Sequence, residues 1–479
     1  MKKTALLGLV LVAAMSMPLM AQTVEFNAEA PGKMLSKTNE PRFIGAADGS
    51  VVIVDRHSKK MTLERYDMAQ NELARVELGS QKELDNYGGF INGSNVDLLN
   101  VRHTDGSFRV YRDRRPLSAI QQGEQTTLVE YNGNKDDKYF FSLGTSPDQT
   151  LLAGVSVSAR KGLDADVRVA LYNRELEEYW HKSVQSSGFN QVLVNDSGEV
   201  VLGFCTVNAK HACRFTVTDG ENEENFSFRL DGEDGTPWEA TMLRYGDGKL
   251  LVAVAVREEN HAIMPIGTNI DRMDFYCYDV RRGDLTVTKY NFTDLDANRM
   301  ANSKDDKSPR HHWVQFCEIS QGIADATGAY VMLQQTWRVT KNDVPTEQHH
   351  MGMMVLRVDK EGRVQWSRPF RLTSQSSWGG RDMNNYRWRT TPNGIMLALA
   401  QNAKNVNLPD EKPIKYFKIL KDKAVLSVFT LDPAGNLKRS NFDIGKQVAL
   451  GSAHYMNTPG EYMLFLMGGK GRFARLTIK

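Results

Sequence analysis

Four histidines in two adjacent pairs, His311-His312 and His349-His350, come nearest by type and spacing to metal chemistry. Neighbouring residues on a strand point to opposite faces, so each pair could offer one ligand to a shared site. No cysteine or acidic residue stands beside them at a recognisable ligand spacing, so they read as solvated loop histidines and no metal is expected. Asp294-Leu295-Asp296-Ala297-Asn298 opens like a calcium loop. Arg299 then stands where the sharp turn needs glycine, and the distal glutamate is missing. The chain has no glycine-rich phosphate loop and no G-x-S-x-G nucleophile elbow. No catalytic residue and no cofactor are expected.

The same stretches are rich in aromatic and basic side chains. Arg310-His311-His312-Trp313 leads into one apolar run, and Ser377-Trp378-Gly379-Gly380-Arg381-Asp382 with Tyr386-Arg387-Trp388-Arg389 leads into the next. Flat rings with polar tips and forked guanidinium donors suit a protein or glycan partner. Arg310, His311, His312, His349, His350, Trp378, Arg381, Asp382 and Tyr386 form the candidate binding set. Trp313 and Trp388 read equally well as plugs of a central channel.

These residues must be positioned by strands. Eight segments share a polar turn followed by an apolar run, the first being Asp48-Gly49-Ser50-Val51-Val52-Ile53-Val54 and the last Pro459-Gly460-Glu461-Tyr462-Met463-Leu464. Helical periodicity is almost absent. A turn-plus-strand unit repeated along a whole chain implies an all-β propeller, here with eight blades and seven as the alternative. Blade one reads as strands 42–46, 51–56, 61–67 and 73–78. The next six span about 90–131, 139–184, 189–230, 238–292, 313–372 and 386–442, and the last begins near Ser452. That last blade holds three strands before the chain stops. Thr23-Val24-Glu25-Phe26-Asn27 alternates like a strand and is expected to pair with Arg472–Ile478, closing the ring and hiding two edges.

With strands lettered a to d from the axis outward, b–c loops and d–a crossovers share one face, and a–b and c–d turns share the other. The long connections 257–272, 293–312, 338–350, 373–385 and 401–423 all fall on the first face, in blades five to seven. Long loops tend to persist where they bind something.

The first 21 residues read as an export signal: Lys2 and Lys3, an apolar stretch from Ala5 to Met17, and a small residue before a cut at Ala21. Thirteen apolar residues fall short of the ~20 a spanning helix needs, and no later segment is long enough. The mature domain, 22–479, is expected to be periplasmic or secreted. Removing Lys2 and Lys3 leaves 58 basic residues, from 60, against 58 acidic ones, which gives no electrostatic case for nucleic acid. Cys205 and Cys213 flank a hairpin loop and fall across from each other, within disulfide reach. Cys277 and Cys317 lie on separate strands and read best as buried small residues, a bridge between blades being the alternative.

The repeats resemble those of secreted bacterial β-propeller proteins with quinoprotein-like or WD40-like blades. Asp359-Lys360-Glu361-Gly362-Arg363-Val364-Gln365-Trp366 resembles the D-x-x-x-G-x-x-x-W pattern of quinoprotein-like propellers, with D-x-x-G spacing. Asp279/Gly283 and Asp432/Gly435 keep looser versions without the tryptophan, so the resemblance implies architecture and not a bound quinone. The sialidase S-x-D-x-G-x-x-W box is absent. The end from Pro459 to Lys479 resembles type IX secretion sorting tails, though the eighth blade already accounts for it. The reading is an exported, non-catalytic binding or scaffold propeller that recognises a protein or glycan through the long-loop face. The alternative is a propeller enzyme acting on extracellular glycans or peptides.

Overall fold

The computed structural model describes residues 23–28, 41–257, 270–292, 317–377 and 386–479, apart from short stretches at turns within them. The described strands form eight sheets, each built on four antiparallel strands. Blade one is Arg42–Ala47, Ser50–His57, Lys60–Asp67 and Glu72–Ser80. Blades two to five span 84–132, 138–184, 191–229 and 236–291; six and seven span 317–370 and 386–446. Blade eight is Val448–Tyr455, Glu461–Gly468, Arg472–Ile478 and, outermost, Val24–Ala28. First strands of most neighbouring blades touch one another around the axis. Blade two starts at Leu84 and not near Phe90, and blade eight at Val448 and not Ser452. In both, a β-bulge early in the first strand breaks the alternation that marks a strand in the sequence.

Second strands carry long apolar runs because both their faces are covered. Val52 and Val54 pack with Val96 and Leu98 of blade two. Val51 and Ile53, one residue out of phase, pack with Met463, Phe465 and Phe473 of blade eight. Blade five repeats this: Leu250, Val252 and Val254 face blade four, while Leu251, Ala253 and Ala255 face blade six. The buried apolar clusters of the described residues fall one to each interface around the ring, that between blades eight and one included. Each large side chain so buried contributes about 1.5–3 kcal/mol. Outer strands alternate instead, as in Glu178–Val184, where one face meets water.

The expected closure is present. Val24 pairs with Ile478 through to Ala28 with Ala474, antiparallel. Thr23 and Lys479 exchange both backbone hydrogen bonds at 3.0 Å. Phe26 packs on Phe442 of blade seven with ring centroids 4.9 Å apart.

The c–d turns repeat one design. Asp67, Asn173, Asp359 and Asp432 each accept a backbone N–H from the residue three ahead and donate to the carbonyl four ahead. The fourth residue takes positive φ: Gln70 at 65°, Leu176 at 58°, Gly362 at 81° and Gly435 at 84°. The D-x-x-G spacing is therefore a hairpin turn. The tryptophan seven residues on docks against the next blade. Trp366 donates Nε1–H to the Pro433 carbonyl at 2.9 Å, and a Cβ on Gly435 would meet its ring at 2.9 Å. Blade six is not alone in this. Trp180, seven residues after Asn173, lies over Gly220 of blade four, where a Cβ would come within 2.7 Å of the indole.

Two predictions follow from the closure and the turns. Deleting residues 23–28 uncovers the edge of Arg472–Ile478 and should lower the melting temperature by roughly 5–10 °C, with aggregation above it, read by calorimetry and light scattering. Asp67 and Asp219 are held below the usual aspartate range, first by the side-chain amides of Asn71 and Asn222 and then by backbone N–H groups. A depressed folded-state pKa gives stability that is present above the unfolded value and lost as pH falls through the folded one. The Asp67→Ala/Asp219→Ala variant should melt lower than wild type near neutral pH, and the gap should narrow as the pH falls below the ordinary aspartate value of 3.8.

Candidate functional site

Blade six departs from the four-strand plan where the long connections gather. Its second and third strands, Gly328–Lys341 and Val344–Asp359, run well past the blade as one antiparallel hairpin. The segment 338–350, expected as a loop, is strand at its described residues. Residues 338–350 show no sustained period of apolar positions, so the segment reads as loop from sequence.

Two neighbouring connections join this outgrowth. Ser374–Ser377 pairs antiparallel with the hairpin, Glu347 opposite Ser377 and His350 opposite Ser374. Phe417–Lys418, from the long connection of blade seven, then pairs parallel with it, Ser374 opposite Phe417 and Gln375 opposite Lys418. The result is a small sheet standing on the b–c and d–a face. Its last strand is pinned below: Phe417 is fully buried in the core between blades seven and eight. The connection is also tied by its own amides. Asn405 donates to the Lys415 carbonyl at 2.7 Å and accepts from the Lys415 N–H at 2.8 Å. Asn402 accepts from the Lys404 N–H at 3.0 Å and donates to Asp422 at 3.1 Å. At the foot of the same blade, Lys423 lies 2.5 Å from Asp443 and holds that carboxyl below its usual range.

His349 and His350 lie on the central strand of this sheet, opposite Trp337 and Thr336 on one side and Gln375 and Ser374 on the other. They are strand residues and not the end of a loop. Tyr386 is a packing residue: it is buried between blades six and seven and donates its hydroxyl hydrogen to Gln334. Trp388 is not a channel plug, because it is buried in the same interface with its indole N–H on the Met332 sulfur. Arg310, His311, His312, Trp313, Trp378, Arg381 and Asp382 lie outside the described residues, as do the 294–298 segment and the leader 1–21. Sequence reasoning missed Ser374–Ser377 and Phe417–Lys418 as strands, each too short to show periodicity.

Cys205 and Cys213 are direct cross-strand partners in blade four, near its b–c end. Both are free thiols, with sulfurs 3.0 Å apart, and the Cys205 sulfur together with burial holds the Cys213 thiol above its usual range. Cys277 is a free, buried thiol just before its c–d turn, whereas Cys317 opens the first strand of blade six at the other face. The strand directions keep those two apart.

The fold and its closure define an eight-bladed β-propeller. No protein-family model and no curated protein matches the chain. Among solved structures it is similar to the WD40 domain of SCAP from fission yeast, with 7% identity over 95% of this chain and 98% of that one and a TM-score of 0.39. It is similar to the WD40 domain of coronin from Toxoplasma gondii, with 9% identity, 95% and 86% coverage and a TM-score of 0.38. Prolyl oligopeptidase B from Galerina marginata matches at 8% identity, with 90% and 55% coverage and a TM-score of 0.40. No helix among the described residues is long and apolar enough to cross a membrane.

The cysteine geometry makes a direct prediction. Mild oxidation with a disulfide oxidant should join Cys205 to Cys213, with a mass loss of about 2 Da on the peptide pair. The Cys213→Ser variant should show no such product.

Proposed function

We propose that this is an exported, non-catalytic binding propeller whose partner, a protein or glycan of the cell envelope, docks on the long-loop face of blades five to seven. The observation that carries the reading is the blade-six hairpin with its two recruited strands. Three connections from two blades are tied by backbone pairing into one raised sheet, which surface drift alone would not produce. Ordering loops costs conformational entropy, and a preformed platform meets that cost before the partner arrives. The basic and aromatic residues Arg310, His311, His312, Trp378 and Arg381 belong to the connections around it. The 1–21 leader is read as a signal peptide that delivers the 22–479 domain to the periplasm or beyond.

The test compares wild type with a variant in which residues 336–351 are replaced by an Asn-Gly turn joining the register partners Gln335 and Gly352. Each is used to capture partners from the native envelope fraction, and a partner identified with the wild type is purified and titrated against both. The expected result is a loss of affinity of about tenfold or more in a variant that keeps its melting transition. Equal affinity, or no partner for either protein, overturns the docking face and moves the question to a turnover screen with glycans and peptides.

A further inference from the structure

A cavity of about 770 Å³ lies on the axis towards the a–b and c–d turns, away from the raised sheet. It reaches outward between blades two and three, where Phe90 of one faces Leu143 and Leu152 of the other. Across the axis, Gln149 in the a–b turn of blade three donates to Thr390 Oγ1 of blade seven at 3.3 Å. Blades three and seven are opposite in a ring of eight, so this bond is a strut spanning that end of the channel.

The walls combine apolar body with surplus positive charge. Tyr87, Leu243 and Ile323 add to the apolar lining. Arg42, Arg174 and Arg244 line the cavity against one carboxylate, Glu175. The nearby aspartates are each paired with another cation. Asp325 pairs with Arg357 at 2.9 Å, Asp247 with Lys360 at 2.7 Å, and Asp85 with Arg56 at 3.2 Å. Arg244 is 8% exposed, with Nε on the Asp325 carbonyl at 3.2 Å and Nη2 3.7 Å from Asp247. Arg42 gives Nη1 to the Asn86 carbonyl, and its Nε and Nη2 have no hydrogen-bond partner among the described residues. Arg174 rests on the Phe90 ring, 5.8 Å from its centroid. Gly88 keeps the space open: it lines the cavity, and a Cβ there would meet nothing within 4 Å.

We propose that this cavity is a second binding site, for a small organic anion: a carboxylate, sulfonate or phosphate monoester on an aromatic or aliphatic body. The volume is that of a small-molecule pocket, and half-desolvated guanidinium donors select an anionic head while the rings and leucines take the body. The site lies on the face opposite the proposed docking surface, so either can fail without the other.

The probe is anilinonaphthalene sulfonate, with the uncharged N-phenyl-naphthylamine as comparator, titrated by fluorescence against the folded protein. Wild type should bind one equivalent of the sulfonate saturably and the uncharged compound about tenfold more weakly. Gly88→Trp should abolish binding at an unchanged melting temperature. Thr145→Trp, from an exposed position on the cavity wall, should do the same and serves if the first variant fails to fold. Arg42→Gln should weaken the sulfonate about fivefold and leave the uncharged compound unmoved. The hairpin-shortened protein should bind as wild type does. No saturable binding, binding that survives a folded cavity-filling variant, or equal affinity for the two compounds overturns the proposal.

Discussion

The structure depends on the contact between one four-stranded sheet and the next. A single blade has two apolar faces and nothing of its own to cover either. Val51 and Ile53 need blade eight while Val52 and Val54 need blade two, so neither pair is dry unless both neighbours are in place. The dependence runs round the circle and returns through the interface of blades eight and one. Tryptophans on outer strands strengthen two of these contacts, Trp180 over Gly220 and Trp366 over Gly435, at turns where a side chain would collide with the ring.

Much of this was legible because the packing leaves a local mark. A strand covered on both faces is mostly apolar along its middle, and Val51 to Val54 shows that directly after a Gly49 turn. Closure was legible from a deficit, three strands in the last blade and one unassigned strand ahead of the first. Boundaries were lost where the backbone leaves regular pairing, at the bulges between Asn86 and Gly88 and between Leu450 and Ala453. Trp180 escaped notice because Asn173 and Leu176 hold the places of Asp359 and Gly362. The turn needs an acceptor and a residue tolerant of positive φ, and more than one residue type meets each need.

The site was less legible, for a physical reason. Loop length singled out the b–c and d–a face, but length cannot distinguish a coil from a hairpin that projects beyond its blade. The strands at Ser374 and Phe417 exist through tertiary pairing alone. Tyr386 illustrates the reverse error: an aromatic beside basic residues resembles a docking group, yet its ring lies between two blades and its hydroxyl is spent on Gln334. Nothing in the local sequence marks the axial cavity, because its lining is assembled from seven different blades.

The pairing of Val24–Ala28 with Arg472–Ile478 also sets a timetable. Ribosomes deliver the amino end first, and at ~5–20 residues per second about 450 further residues take roughly 20–90 s to follow. Throughout that interval the earliest strand has no mate, and both terminal blades present bare edges of the kind that recruit stray strands. A chain built this way gains from being held extended until its last residue is free. Export in an unfolded state would supply that delay, and a carrier fused at the carboxyl end would tether the one strand that the amino terminus is waiting for.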